Sequence, residues 1–179
     1  MGFCKTILRI FGWRVLCTVP DYPKSIICVA PHTSNWDFVL GKFAWWSLGR
    51  KAGFLMKKEW FFWPMKYLFR AMGGIPVERR RGSSLSEAII RKFDASESLC
   101  IAITPEGTRS RVTQWHTGFL HIAYEAHVPV ILGAIDAAAK LVHLQETFTP
   151  TGDMEADMRA IKKYYSQFQG IVPENFSAE

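Results

Sequence analysis

Three short runs of apolar, largely β-branched residues punctuate this chain: Ser25–Ala30, Leu99–Ile103 and Val128–Ile135. Runs of this length, bounded by turn residues, read as strands buried on both faces. Longer stretches between them carry helical signals. Asn35–Leu48 is helical, with Phe38, Trp45 and Trp46 among its apolar positions. Glu59–Met72 reads as helix, with Pro64 lying within it or breaking it. Ser84–Phe93 opens on Ser84 with Glu87 three residues later, the pattern of a capping box. Gly118–Ala126 and the polar, amphipathic Asp153–Phe168 complete the helices. Gly53–Met56, Ile75–Val77 and Leu141–Leu144 are short enough to be minor strands. Such alternation predicts an α/β layered domain with a largely parallel or mixed sheet flanked by helices. Sites in such sheets form beyond the carboxyl ends of the strands.

A length of 179 residues suits one domain, and an apolar content of 49% excludes a disordered chain. Cys4, Cys17, Cys28 and Cys100 have no CxxC spacing and read as reduced core thiols. Several enzyme classes lack their signatures. No Gly-x-Ser-x-Gly marks a nucleophile elbow, and neither glycine-rich phosphate loop occurs. His116, His121, His127 and His143 have irregular spacing and no HExxH, so no metal is expected. They read as ordinary surface or core residues.

Charge divides the chain. Residues 1–92 hold 16 Lys/Arg against 5 Asp/Glu, and residues 93–179 hold 6 against 11. The first half suits an anionic partner, or is a solvated basic surface. No apolar run reaches the ~18–20 residues of a bilayer span. Met1–Val19 spaces Lys5, Arg9 and Arg14 through apolar residues, which fits an amphipathic helix at a membrane surface or a helix packed on the core. Trp60–Phe69 is dense in aromatics and flanked by Lys57, Lys58 and Arg70, a composition suited to the headgroup level of a bilayer. Much of it is expected to be core, with a minority of its rings facing lipid.

Two polar blocks follow strands directly. In the first, His32 follows the Ser25–Ala30 strand and Asp37 comes five residues later. A turn that returns Asp37 to the imidazole would fix its tautomer and leave the other ring nitrogen to take a proton. Ser34-x-x-Asp37 is equally a capping box at a helix start. In the second, Thr104–Ser110 contains Glu106, Gly107, Thr108 and Arg109. Arg109 offers a planar fork for phosphate or carboxylate, or pairs with Glu106 to hold the loop. A third segment, Gly73–Arg81, joins two glycines to three arginines.

Taken in order, these segments resemble the lysophospholipid acyltransferase family. His32 and Asp37 stand as its His-x4-Asp, Ile75 to Arg79 as its second block, Pro105 to Arg109 as Pro-Glu-Gly-Thr-Arg, and Val128 to Ile131 as Val-Pro-Val/Ile. The second block carries Glu78 where Asp is common. The resemblance implies acyl transfer from acyl-CoA or acyl-carrier protein to a lysophospholipid such as 1-acylglycerol-3-phosphate, with no cofactor or metal. It implies a peripheral enzyme on the cytoplasmic face of the membrane, His32 as base and Asp37 as its orienter. It places Lys57, Arg79, Glu106, Gly107, Thr108 and Arg109 around the acceptor. A phosphate-free lyso-aminolipid is the alternative acceptor. A basic module for anionic lipid or nucleic acid is the alternative without catalysis, and it leaves both strand-end blocks without a role.

Overall fold

The computed structural model of the chain describes residues 2–77 and 85–178. Its strands are β1 (Arg14–Cys17), β2 (Lys24–Ala30), β3 (Gly53–Lys57), β4 (Gly74–Val77), β5 (Leu99–Ile103), β6 (Val130–Asp136) and β7 (Leu141–Phe148). They form one sheet in the order β1-β7-β6-β2-β5-β3-β4. Only β6 and β7 run antiparallel to each other; every other neighbouring pair is parallel.

Helices cover both faces, which is why β2 and β6 read as continuous apolar runs. Alternate residues of β2 divide between two cores. Ile26, Cys28 and Ala30 meet α4 (Leu85–Asp94), α5 (Gly118–Glu125) and α6 (Met154–Tyr165), through Ile89, Phe93, Leu120, Ile161 and Tyr165 among others. Ile27 meets Ala44 and Trp45 of α2 (Asn35–Ser47) on the opposite face. The N-terminal helix α1 (Gly2–Ile10) packs on α2 and buries Leu8. Asp153 caps α6, its side chain accepting from Glu155 N and Ala156 N at 3.1 and 3.0 Å.

Three elements differ from the sequence reading. The N-terminal helix stops at Ile10, Gly12 takes φ 78°, and residues 14–17 form the edge strand β1 against β7. Of the three spaced charges Lys5 and Arg9 lie on α1 and only Arg14 falls on β1, where Arg14 and Leu16 are exposed and Val15 and Cys17 are half-buried. Pro64 does break the aromatic stretch, leaving a 3-10 turn at Lys58–Trp60 and the short helix α3 (Met65–Ala71). That stretch is not core. Trp60, Phe62, Trp63 and Tyr67 are all more than half exposed, and only Phe61 and Phe69 pair edge to face at 6.0 Å. Lastly, β7 continues to Phe148 with a bulge opposite Leu132/Gly133. The Ser84 cap and Arg79 lie outside the described residues. Of the four thiols only Cys28 is fully buried, and burial pushes it up to about 12.

Tyr165 ties the helical layer to the central strand. Its ring is fully buried, and its hydroxyl donates to the Cys28 carbonyl at 2.6 Å. Tyr165→Phe keeps the ring and removes one buried donor. It should lower unfolding free energy by about 1–2 kcal/mol with an unchanged denaturant slope, measured by urea unfolding.

Candidate active site

Register brings the two polar blocks together. Cys28 of β2 lies opposite Ile103, the last residue of β5, and β2 runs two residues further, so the neighbouring strands end close together. From β2 the chain leaves through α2 toward β3; from β5 it leaves through α5 toward β6 on the other face. Neighbouring parallel strands whose connections diverge leave a crevice at their carboxyl ends. A cavity of ≈ 860 Å³ opens there. Its polar end carries His32, Asn35, Asp37, Gly107, Arg109 and His116. Its apolar lining comes from both faces, Ile27, Ala44, Trp45 and Leu144 on the α2 side and Leu85, Ile89, Phe119 and Ile122 on the α4 and α5 side.

His32 sits on a loop held by main-chain bonds. Its own amide donates to Glu106 Oε1 at 2.8 Å. The next two amides, of Thr33 and Ser34, both donate to Asp37 Oδ2 at 2.7 Å. That oxygen also lies 3.5 Å from His32 Nδ1. Both sequence readings of Asp37 therefore hold in geometry. Ser34 caps α2 and Asp37 completes the capping box, while the same carboxylate faces the imidazole. The turn Thr33–Asn35 supplies the reversal that a regular helix would not. His32 Nδ1 and Asp37 Oδ1 are buried without a hydrogen-bond partner among the described residues. The Nδ1 edge is directed at the carboxylate, so the other ring nitrogen is the one available for proton transfer.

Glu106 is 3% exposed and does not line the cavity. Its carboxyl is raised to about 7, first by burial and further by the charge of Asp37, against the lowering effect of the His32 amide. Gly107 takes φ 68°, and a Cβ there would stand 2.8 Å from His116 Cδ2. The glycine is thus needed twice, for its backbone and for the imidazole against it. Arg109 does not pair with Glu106: its Nη1 donates to Asn35 Oδ1. Thr108 turns inward on the loop, its Oγ1 accepting from Ser110 N at 3.3 Å. Lys57 ends β3, two strands from β2, and is exposed outside the cavity lining.

The cavity therefore gathers His32, Asp37, Gly107 and Arg109 of the residues the sequence singles out, but not Lys57, Glu106 or Thr108. Asn35 and His116 join them without having been anticipated. His116 lies in the loop between β5 and α5, its amide closing that loop on the Pro105 carbonyl at 2.8 Å. Placement after a polar strand-end block was the only signal available for it. Among the described residues no three His, Cys, Asp or Glu side chains cluster as metal ligands.

Burial of Glu106 has a consequence for stability. A carboxyl whose folded value is raised from 4.5 to about 7 stabilises the fold fully below the lower value. That contribution is lost as pH rises through the upper one. Glu106→Gln retains an oxygen for the His32 amide and cannot ionise. The variant should gain melting temperature relative to the parent as pH rises from 4.5 to about 7, at roughly 2–4 °C per kcal/mol, and the gap should then level off. Parallel melting curves for both proteins across that range would read it.

A family model described as Acyltransferase matches residues 18–135, which include both polar blocks. No curated protein matches the chain significantly. Among solved structures, the 1-acyl-sn-glycerophosphate (LPA) acyltransferase PlsC from Thermotoga maritima is similar over 93% of this chain and 75% of its own. The TM-score is 0.61 and the sequence identity 22%, so this likeness speaks for the fold. With the family model covering most of its length and the His-x4-Asp pair set at the carboxyl edge of the sheet, the chain belongs to the acyltransferase family.

Proposed function

We propose that this acyltransferase moves a fatty acyl group from acyl-CoA or acyl-carrier protein to the hydroxyl of a lysophospholipid at a membrane surface, 1-acylglycerol-3-phosphate being the leading acceptor. One observation carries the reading: the His32–Asp37 pair stands at the polar end of a cavity whose remaining wall is mostly apolar, with Lys42, Ser86 and Thr104 set among the apolar side chains. The apolar part suits an acyl chain, and the polar end suits the reacting hydroxyl and thioester. His32 takes the hydroxyl proton as the oxygen bonds to the thioester carbonyl carbon. The C–S bond then breaks, and the imidazolium returns the proton to the departing thiolate. Asp37 holds the ring and balances its transient charge.

Arg109 is the group in the cavity best fitted to the acceptor's phosphate, with Asn35 keeping its guanidinium in place. Lys57, at the end of β3, is proposed to extend that basic region toward the headgroup, and so is Arg79, which lies outside the described residues. Glu106, Gly107 and Thr108 serve the acceptor indirectly, by fixing the loop that carries Arg109. The LPA activity named for the structurally similar enzyme supports this acceptor over the phosphate-free alternative. A nucleic-acid or lipid-binding module would leave the paired His32 and Asp37 without a use.

The deciding experiment incubates the purified protein with both donors and a panel of lysolipids, with and without phosphate, and identifies the product by mass spectrometry. The expected result is a diacyl product from the phosphate-bearing acceptor. His32→Ala should lower turnover by ~10²–10⁴, and Asp37→Asn should be severely impaired. Near-normal turnover in His32→Ala would remove the mechanism. Product from a lyso-aminolipid alone would replace the acceptor.

No helix among the described residues is long and apolar enough to cross a membrane. Exposed Trp60, Phe62, Trp63, Tyr67 and Leu68 form an apolar surface beside Lys57, Lys66 and Arg70. Such a surface suits an anionic interface, its rings entering the headgroup layer and its cations meeting phosphate. In sedimentation with vesicles the protein should pellet with anionic liposomes at low salt, less so at high salt. Trp63→Ala combined with Tyr67→Ala should reduce binding several-fold. Recovery of the parent protein in the supernatant with every vesicle would defeat the surface reading.

A further inference from the structure

The matched family region ends at Ile135, yet the His32 loop is also held from beyond it. After α6 the chain turns back toward the carboxyl edge of the sheet. Ala137 N donates to the Gln169 carbonyl at 2.8 Å, which fixes where the tail crosses. Gly170 is buried against the loop. A Cβ at Gly170 would stand 2.7 Å from Thr33 Cγ2, 2.8 Å from Thr33 Oγ1 and 3.1 Å from Pro31 Cβ. No side chain fits that approach without displacing one partner. Two residues later Val172 N donates to Thr33 Oγ1 at 3.1 Å. The tail then reaches the loop between β5 and α5, where the Ser177 carbonyl accepts from Trp115 Nε1 at 3.1 Å, one residue before His116.

Thr33 is where this matters. It is 3% exposed, and it bonds in two directions. Its amide donates to Asp37 Oδ2 at 2.7 Å, and its hydroxyl accepts from the tail. The imidazole and carboxylate stand 3.5 Å apart with Nδ1 and Oδ1 both unpartnered. Their separation is therefore set by the main chain around them, not by a short bond between them. Whatever holds Pro31 and Thr33 holds the pair.

We propose that Thr33 and Gly170 are positioning residues, through which the C-terminal tail clamps the His32 loop and sets the geometry of His32 against Asp37. The inference rests on His32 being the base proposed above. Displacing a general base by a fraction of an ångström acts on the proton-transfer step and leaves substrate binding nearly unchanged.

The test uses the full chain with Thr33→Val, Thr33→Ser and Gly170→Ala. Valine keeps the shape of Thr33 and removes the acceptor for Val172 N. Serine keeps that acceptor. Alanine at 170 pushes on the loop from the tail side. Thr33→Val and Gly170→Ala should each lose roughly ten- to a hundredfold in kcat with KM within about twofold, and Thr33→Ser should recover most of it. A second readout needs no acceptor. In protein labelled with 15N at its five histidines, the ring-nitrogen signals of His32 should move in Thr33→Val and Gly170→Ala, while those of the other histidines stay. His32→Gln assigns the signal. If Thr33→Val does not fold, Gly170→Ala and the ring-nitrogen signals decide. Unchanged His32 signals with parental kcat would overturn the proposal, as would variants that lose melting temperature alone. A parent protein inactive on every lysolipid would instead remove the acceptor assignment, leaving the nitrogen readout to judge the clamp.

Discussion

Cys28 stands opposite Ile103, and most of the site follows from that register. Parallel pairing brings the carboxyl ends of β2 and β5 to within two residues of each other. The polar residues after each are then delivered side by side, although His32 and Glu106 are far apart in sequence. The bond from the His32 amide to the Glu106 carboxyl is the first contact beyond the sheet. It fixes the loop of one strand to the loop of the other. The diverging connections through α2 and α5 then open the crevice above it.

Two carboxylates are buried at this edge, and burial of such groups is costly unless their oxygens are bonded. Asp37 meets the requirement with two amides on one oxygen, Glu106 with one. The difference is visible in Glu106, whose carboxyl is held near 7 because a single amide does not offset its desolvation. Each carboxylate fixes backbone near the reacting imidazole. The stability lost there is the kind that folds concentrate at functional positions.

Much of this architecture was legible in the sequence for a simple reason. β2, β5 and β6 are covered on both faces, so their apolar character is unbroken and no alternative element fits their length. The His-x4-Asp and Pro-Glu-Gly-Thr-Arg blocks could be placed because each adjoins such a strand. What was illegible depended on partners distant along the chain. β1 exists because β7 offers an edge, and its four residues, with the one charge Arg14, could equally well continue the helix before them. Much of the aromatic stretch is expected to be core, yet Pro64 leaves it as a turn and a short helix with most of its rings exposed. The resemblance places Glu106 around the acceptor, and its bond with the His32 amide follows from sheet register rather than from any local pattern. His116 and Gly170 owe their places to close approaches with Gly107 and Thr33, which no local pattern records.

One helix joins chemistry, cavity and surface. Asp37, Gly41 and Trp45 fall at intervals of four along α2, so they share a face, and all three line the cavity. Asp37 serves the imidazole at one end, and Trp45 closes against the sheet further along. Gly41 stands between them, and a Cβ there would meet nothing within 4 Å. Its lack of a side chain is not required by any neighbour; it leaves open the space between the polar and apolar ends. The same helix exposes Trp36 and Phe38 beyond its cap and carries α1 on its outer side. An amphipathic helix with one plain core face would do none of this. α2 instead divides its surface between a capped catalytic end, a hollow apolar face and exposed rings, which is why its sequence shows so little helical amphipathicity.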